Sequence, residues 1–596
     1  MAAGARGRKA SRLGRRSFPA PMDETRTIER GGRRWLLRPA AAEPLLADGW
    51  PVDQPDRLAP VKRGRRRTVY RTEAGGGYYV KVFGPAGPLR RLRARLGMGP
   101  GRREWDALLL ARATGLDVPE PVALALGADE VLVTKEIAGG QRLDEYLFER
   151  YFEAGPSDPP YPGARPPELV AVFRRRRRPP DGTIDPSALA YHLAHLVSRL
   201  AEADLYLPDL HPGNLLISGP PRQWRLSLVD LAEAVHPAPA EAILQHLMQL
   251  EHFFEPIAGA AERLRCLTRL RELVDEAPAA RDVARATAVY RQRFYLRRDR
   301  RTRRPSKYFR RIAAGPWRGW AAADWAEAVT AFLSAAGEAD PVAAGRATAL
   351  KEGRTSSVWR LELDDGRALI VKRHNRAAQR NVGPGLGRPS RSRRALRRGH
   401  ALLVRGIATA RPAAAVDLKR HGAVADTLLL TEPVADAPPL SDWLGADPTA
   451  AYRRHVVWEL ARTIRRMHDS GLTHRDLKAP NILIAPAPDG RPRPVLVDLD
   501  GLRMVRRVSA RRRARDLMRL SVSLEEWGVA RRTDRLRFLR TYLHRPGCPA
   551  SITVLSRRRG RTDSARRLRR WWDLIARASR RKLDTLRRKC GRLETA

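Results

Sequence analysis

The sequence predicts an α+β protein that uses one succession of strands and helices twice. Three observations predict this. Two lysines, Lys81 and Lys372, stand in apolar, strand-like runs, Tyr78-Tyr79-Val80-Lys81-Val82-Phe83 and Ala368-Leu369-Ile370-Val371-Lys372. Each run closes a β-hairpin whose turn is legible, Gly75-Gly76-Gly77 in one and Asp364-Asp365-Gly366 in the other. The elements that follow each lysine come in the same order.

After Lys81 come a helical stretch containing Arg103-Glu104-Trp105 and then Gly115-Leu-Asp-Val-Pro-Glu-Pro121; after Lys372 come a helix from Ser392 to Arg405 and Gly406-Ile-Ala-Thr-Ala-Arg-Pro412. Both copies continue into a strand, Val131 to Glu136 and Leu428 to Glu432, and then a long amphipathic helix. Each ends in a polar loop and a β-pair: Asp209-Leu-His-Pro-Gly-Asn214 with Asp230, and His474-Arg-Asp476-Leu-Lys-Ala-Pro-Asn481 with Asp498. The Asp-to-Asn spacing is identical in the two loops, and the step from Asp209 to Asp230 is one position shorter than that from Asp476 to Asp498. The stretch from Lys81 to Asp209 is longer than that from Lys372 to Asp476, and the excess matches a Pro- and Arg-rich insert at about 155–180. The expected organisation is a basic disordered arm at 1–35, a first domain at 36–296, a linker and helix at 297–345, and a second domain at 346–596 ending in basic amphipathic helix.

The 596 residues are 43% apolar and 30% charged, a globular composition, and no apolar run reaches the roughly 18 residues that span a bilayer. Three cysteines at unrelated spacings build neither a disulfide framework nor a zinc site, so a reducing compartment is expected. The basic stretch from Met1 to Ala20 lacks the apolar segment of a secretory signal. A net charge of +49 favours phosphate-bearing partners, but only 11 of the 114 basic residues are lysine, and an Arg excess alongside abundant Ala, Gly and Pro reflects GC-rich codons as much as function. Where this chain needs only positive charge it uses Arg, so a Lys inside an apolar strand marks a place for a compact ammonium.

Phosphoryl transfer from ATP needs a Lys for the α and β phosphates, a carboxylate at the nucleophile, and an Asn and an Asp for Mg²⁺, and both copies supply these in that order. His474 to Asn481 resembles the catalytic loop of protein kinases, and Asp209 to Asn214 is similar to that of small-molecule kinases such as aminoglycoside phosphotransferases. The closer resemblance is to the lipopolysaccharide core heptose and Kdo kinase family, carried by Arg67-Thr68-Val69-Tyr70-Arg71, Arg103-Glu104-Trp105 and Asp516-Leu517-Met518-Arg519-Leu520. It covers about 60–235 and 348–525. The resemblance implies two tandem bilobal protein-kinase-like domains, each a small antiparallel sheet with a mainly helical lobe. It also implies ATP with Mg²⁺ and transfer to a sugar hydroxyl of a glycolipid at the cytoplasmic face of the inner membrane, with peripheral contact to anionic lipid. Lys81 and Lys372 would meet phosphates, with Glu104 pairing Lys81. Asp209 and Asp476 would orient the acceptor hydroxyl, and Asn214, Asp230, Asn481 and Asp498 would bind metal.

Both copies depart from that pattern. Leu207 replaces the histidine of His-x-Asp in the first. In the second, Ala395 aligns with Glu104, and Gly366 to Val416 contains no acid, so Lys372 is expected to lack a carboxylate nearby. A protein Ser/Thr kinase, suggested by His474-Arg475-Asp476 with Lys478, and a weakly catalytic scaffold docked on anionic membrane are the competing expectations. Nucleic-acid binding rests on charge alone and has no motif behind it.

Overall fold

The structure is a computed structural model. It describes residues 25–47, 58–153, 174–175, 179–374, 389–544 and 557–593, apart from gaps at 65–66, 73–76, 85–93, 95–96, 128, 222, 256–257, 337–341, 343–345, 354–355, 421–422, 487–489 and 530. Most of the insert at 155–180, the stretch 1–24 and the Gly75-Gly76 turn therefore lie outside the described residues. The chain divides into two compact units, one drawn from 1–150 and 179–287, the other from 151–178 and 288–596.

The first unit is built on a seven-stranded antiparallel sheet in the order Arg26–Arg30, Arg33–Leu37, Pro121–Leu126, Val131–Lys135, Tyr78–Phe83, Arg67–Thr72, Ala59–Arg63. Alternation along the strands turns Trp35, Tyr78, Val80, Val131 and Val133 into one core. Helices follow. Pro186–Glu202 begins where the Asp185 carboxylate accepts from the backbone N–H groups of Ser187 and Ala188, with proline at the first helical position. Its buried stripe is Leu189, Leu193, Leu196, Val197 and Leu200, the spacing of one helical face.

The second unit repeats this topology. Its seven strands run Phe309–Ala314, Trp317–Ala322, Pro412–Arg420, Ala423–Thr431, Ala368–His374, Ser356–Glu362, Arg346–Lys351, the same order in the sheet. Lys81 pairs with Val69 and Leu132, and Lys372 pairs with Val358 and Leu429, so each lysine sits on the fifth strand of its sheet at a matching register. Helices Ala450–Asp469, Ala510–Glu526, Arg532–Leu543 and Arg557–Leu593 form the second lobe, with Trp571 and Trp572 half-buried against its core. The architecture is α+β, with one seven-stranded antiparallel sheet followed by helices in each unit. Among the described residues no helix is long and apolar enough to cross a membrane.

Two stretches expected outside the domains are strands. Arg26–Leu37, assigned from sequence to the basic arm as far as Trp35, is a hairpin turning at Gly31-Gly32, both with positive φ. Phe309–Ala322, assigned to the linker, is a hairpin turning at Gly315. Exposed arginines break the pattern in both: only Trp35 and Leu37 are buried in the first hairpin, and in Phe309–Ala314 the buried Phe309, Ile312 and Ala314 are interrupted by the exposed pair Arg310 and Arg311.

Among the described residues, buried polar groups include one deep ion pair and two neutral histidines. Asp299 accepts from both terminal nitrogens of Arg405 at 2.8 and 3.0 Å, and the guanidinium lies 4.5 Å over the Tyr295 ring. His246 Nε2 accepts the Leu207 backbone N–H at 3.0 Å, which fixes the entry to the first polar loop. Burial pushes His246 down to about 4 and His400, packed edge-on against Phe309, to about 3. Asp299→Ala should cost the second unit about 3–5 kcal/mol in urea unfolding, because the arginine is left charged and unpaired. Both histidines stay neutral in the fold while the unfolded chain protonates near pH 6.5, so stability is full above that value and falls as pH drops toward 4, with a slope approaching ~1.4 kcal/mol per pH unit for each histidine. Urea midpoints between pH 7 and 4 should fall for wild type and fall less for His400→Leu.

Candidate active site

In the first unit four charged side chains meet at the end of the central strands. Lys81 Nζ bonds Glu104 Oε1, which projects from the Pro100–Ala113 helix and has no solvent exposure. That helix is held at its start by Glu130, whose carboxylate accepts from the backbone N–H of Gly101 at 2.7 Å and of Arg102 at 3.2 Å. Arg67 makes a bidentate pair with Asp230 and lies 3.9 Å from Glu104, so it bridges the two acids. Burial alone would raise Asp230, but the Arg67 hydrogen bond and the charges of Arg67, Lys81 and Lys62 outweigh it and hold the carboxyl below its ordinary range.

The polar loop lies beside this cluster. Pro212–Asn214 is a single 3₁₀ turn; Asn214 Nδ2 donates to the Asp209 carbonyl at 3.0 Å, and the Asn214 carbonyl accepts from Val229 N–H at 3.0 Å, next to Asp230. The second unit has the same bonds. Asn481 Nδ2 donates to the Asp476 carbonyl at 2.9 Å, and the Asn481 carbonyl accepts from Val497 N–H at 3.0 Å, next to Asp498. Asp230 and Asp498 both have left-handed backbone, φ +69° and +57°. Such conformations cost energy in residues other than glycine and collect at functional sites.

Contrary to the expectation from sequence, Lys372 has carboxylate partners. Its Nζ lies 2.6 Å from Asp498 Oδ1 and 3.0 Å from Asp500 Oδ2. Acids are missing only from the residues that follow the lysine closely; these two stand far along the chain and are brought in by the fold. Burial opposes the charge on Lys372, and Asp500 and Asp498 outweigh it, so its pKa is raised. His374 Nε2 is 3.4 Å from Asp500, and burial keeps that ring below its usual pKa.

The loops are anchored differently. In the second unit His474 receives the Asp476 N–H on Nδ1 at 3.2 Å and faces the Asp498 carbonyl with Nε2 at 3.1 Å, which fits a neutral ring protonated on Nε2. Burial lowers its pKa accordingly. Asp516 accepts from Thr473 Oγ1 and from the His474 N–H at 2.9 Å, with His468 Nε2 at 3.3 Å. In the first unit Leu207 supplies no ring, and the single neutral His246 accepts the equivalent backbone N–H. The Asp209 side chain is 69% exposed and has His211 at 3.6 Å; Asp476 is 42% exposed and has Lys478 at 3.0 Å, so both carboxylates face solvent where an acceptor can arrive.

Among the described residues no group of three or more His, Cys, Asp and Glu could hold a metal ion. The Asn–Asp pairs suit Mg²⁺ instead, which takes oxygen ligands, keeps several waters and is completed by substrate phosphates. With the amide nitrogens of Asn214 and Asn481 spent on the aspartate carbonyls, each amide offers its oxygen. The sequence points to Arg67 only as part of a motif, and gives no role to Asp500 or His374. The spacing Asp498-Leu499-Asp500 is the available signal.

A sequence profile of the lipopolysaccharide kinase (Kdo/WaaP) family matches residues 347–542. The lipopolysaccharide core heptose(I) kinase WaaP of Pseudomonas aeruginosa is 30% identical over 197 residues, 30% of this chain and 72% of that protein. The 3-deoxy-D-manno-octulosonic acid kinase of Photobacterium profundum is 39% identical over 99 residues, 17% of this chain and 39% of the relative. A solved structure of WaaP in complex with acyl carrier protein is 26% identical and covers 39% of this chain and 93% of its own, with a TM-score of 0.28. On the match to the heptose kinase, and with the family profile running through 347–542, the chain belongs to the lipopolysaccharide kinase (Kdo/WaaP) family, a family of phosphotransferases.

Proposed function

We propose that this protein transfers the γ-phosphate of ATP, with Mg²⁺, to a hydroxyl of a core sugar in a glycolipid, and that both units carry a site for the reaction. The observation that carries this is the convergence, in each unit, of a strand lysine on acids beside a left-handed aspartate and an Asp–Asn loop. Lys81 and Lys372 hold the α and β phosphates. Asn214 with Asp230, and Asn481 with Asp498, hold the cation, which when bound neutralises charge on the transferring phosphoryl group. Asp209 or Asp476 accepts the hydroxyl proton as the acceptor oxygen bonds to the γ-phosphorus and the bond to the β-phosphate oxygen breaks, releasing ADP.

The relatives' names support the saccharide acceptor, since one is a lipopolysaccharide core heptose(I) kinase and the other a 3-deoxy-D-manno-octulosonic acid kinase by name. Action at the cytoplasmic face of the inner membrane is part of this reading, and the net charge of +49 suits an anionic membrane. Lys478, 3.0 Å from Asp476, is the observation that favours protein Ser/Thr phosphorylation as a second reading for the second unit.

Asp209→Asn combined with Asp476→Asn should lower ATP turnover with lipopolysaccharide core acceptors by about 10²–10⁴, the usual share of a general base; equal turnover in the double variant and wild type would falsify the proposal. Mass spectrometry of products should find phosphate on the saccharide; phosphate on protein alone selects the second reading. Chelation with EDTA should stop turnover and added Mg²⁺ should restore it, as followed by ADP release.

A further inference from the structure

The two sites distribute the same charges over different elements. In the first unit the acid that holds the lysine is Glu104, on the helix, and the position two residues after Asp230 is Ala232. In the second unit the aligned helix position is Ala395, fully buried, and the position two residues after Asp498 is Asp500. The carboxylate missing from the helix has its counterpart on the loop.

Asp500 is built into place rather than merely near. It sits in the 3₁₀ turn Leu499–Gly501, whose backbone is fixed at two points: the Asp500 carbonyl accepts from Arg398 at 3.0 Å, and the Gly501 carbonyl accepts from the Arg475 N–H at 2.8 Å. Leu499 is buried against the helix at Gly399, where an added Cβ would fall 2.7 Å from Leu499 Cδ1, so the helix and this turn approach more closely than a side chain would allow. The Asp500 carboxylate then lies 3.0 Å from Lys372 Nζ, with His374 Nε2 at 3.4 Å. A carboxylate that coordinates Mg²⁺ gives up much of its hold on a neighbouring ammonium, and Lys372 needs a partner that stays when the cation binds.

Resting on the functional reading above, we propose that Asp500 is the positioning residue for Lys372: it holds the ammonium over the nucleotide phosphates from the metal loop, the task Glu104 performs from the helix for Lys81, and leaves Asp498 to the cation.

Titration calorimetry of the full chain with a non-hydrolysable ATP analogue, in EDTA and again in Mg²⁺, tests this. Lys372→Met identifies the binding step that belongs to the second unit. Asp500→Asn should weaken that same step at least tenfold in both buffers and leave the other step unchanged, Asp500→Glu should stay within about threefold of wild type, and Asp500→Asn with Lys372→Met should be no worse than Lys372→Met alone. Circular dichroism melts establish that each variant is folded; if Asp500→Asn is not, Asp500→Ser is read in its place. A folded variant that keeps the Lys372-dependent step overturns the assignment. So does a loss confined to Mg²⁺ buffer, which would make Asp500 a metal ligand. If wild type has no Lys372-dependent step, the functional reading fails first and the assignment with it.

Discussion

An ammonium at the end of an apolar strand cannot stay charged and buried unless acids meet it there, and the rest of each site is arranged around that requirement. Lys81 is 9% exposed and meets Glu104; Lys372 is held by Asp498 and Asp500. Supplying those acids fixes the position of a helix in one unit and of a turn in the other. It also brings the left-handed aspartate within reach of the Asp–Asn loop, because a short hairpin links that loop to the aspartate and one backbone bond, Val229 to Asn214 or Val497 to Asn481, locks the pair.

The two loops share their internal bonds, amide to aspartate carbonyl at 3.0 and 2.9 Å and valine N–H to asparagine carbonyl at 3.0 Å in both, while the side chains that anchor them differ. Asp516 gathers a hydroxyl, a backbone N–H and a histidine; His246 takes one backbone N–H and remains neutral. A charged anchor with several donors holds a loop more stiffly than a neutral one with a single donor. The second loop is thus the more firmly fixed, whereas in the first unit the lysine pair is the more deeply buried. The two units share one plan and place their rigidity differently.

Much of this is legible in the sequence, because it depends on local chemistry: Lys in an apolar run, Asp and Asn at one fixed spacing, a second Asp after two short strands. The α+β class and the order of elements follow from those. The hairpins at Arg26–Leu37 and Phe309–Ala322 are not, since exposed arginines interrupt their apolar residues and no even alternation is left to read. Asp500 escapes for another reason. Sequence proximity offers a lysine only its near neighbours, and pairing of a strand with a distant turn is a property of the folded chain alone. His246, replacing an acid at the loop anchor, carries no motif at all.

On the proposed function, the two lysines held by acids beside two Asp–Asn loops are two nucleotide sites. Equilibrium dialysis of the purified chain with Mg²⁺ and a non-hydrolysable ATP analogue measures this most directly: two equivalents bound per chain is the predicted result, and one or none would contradict it.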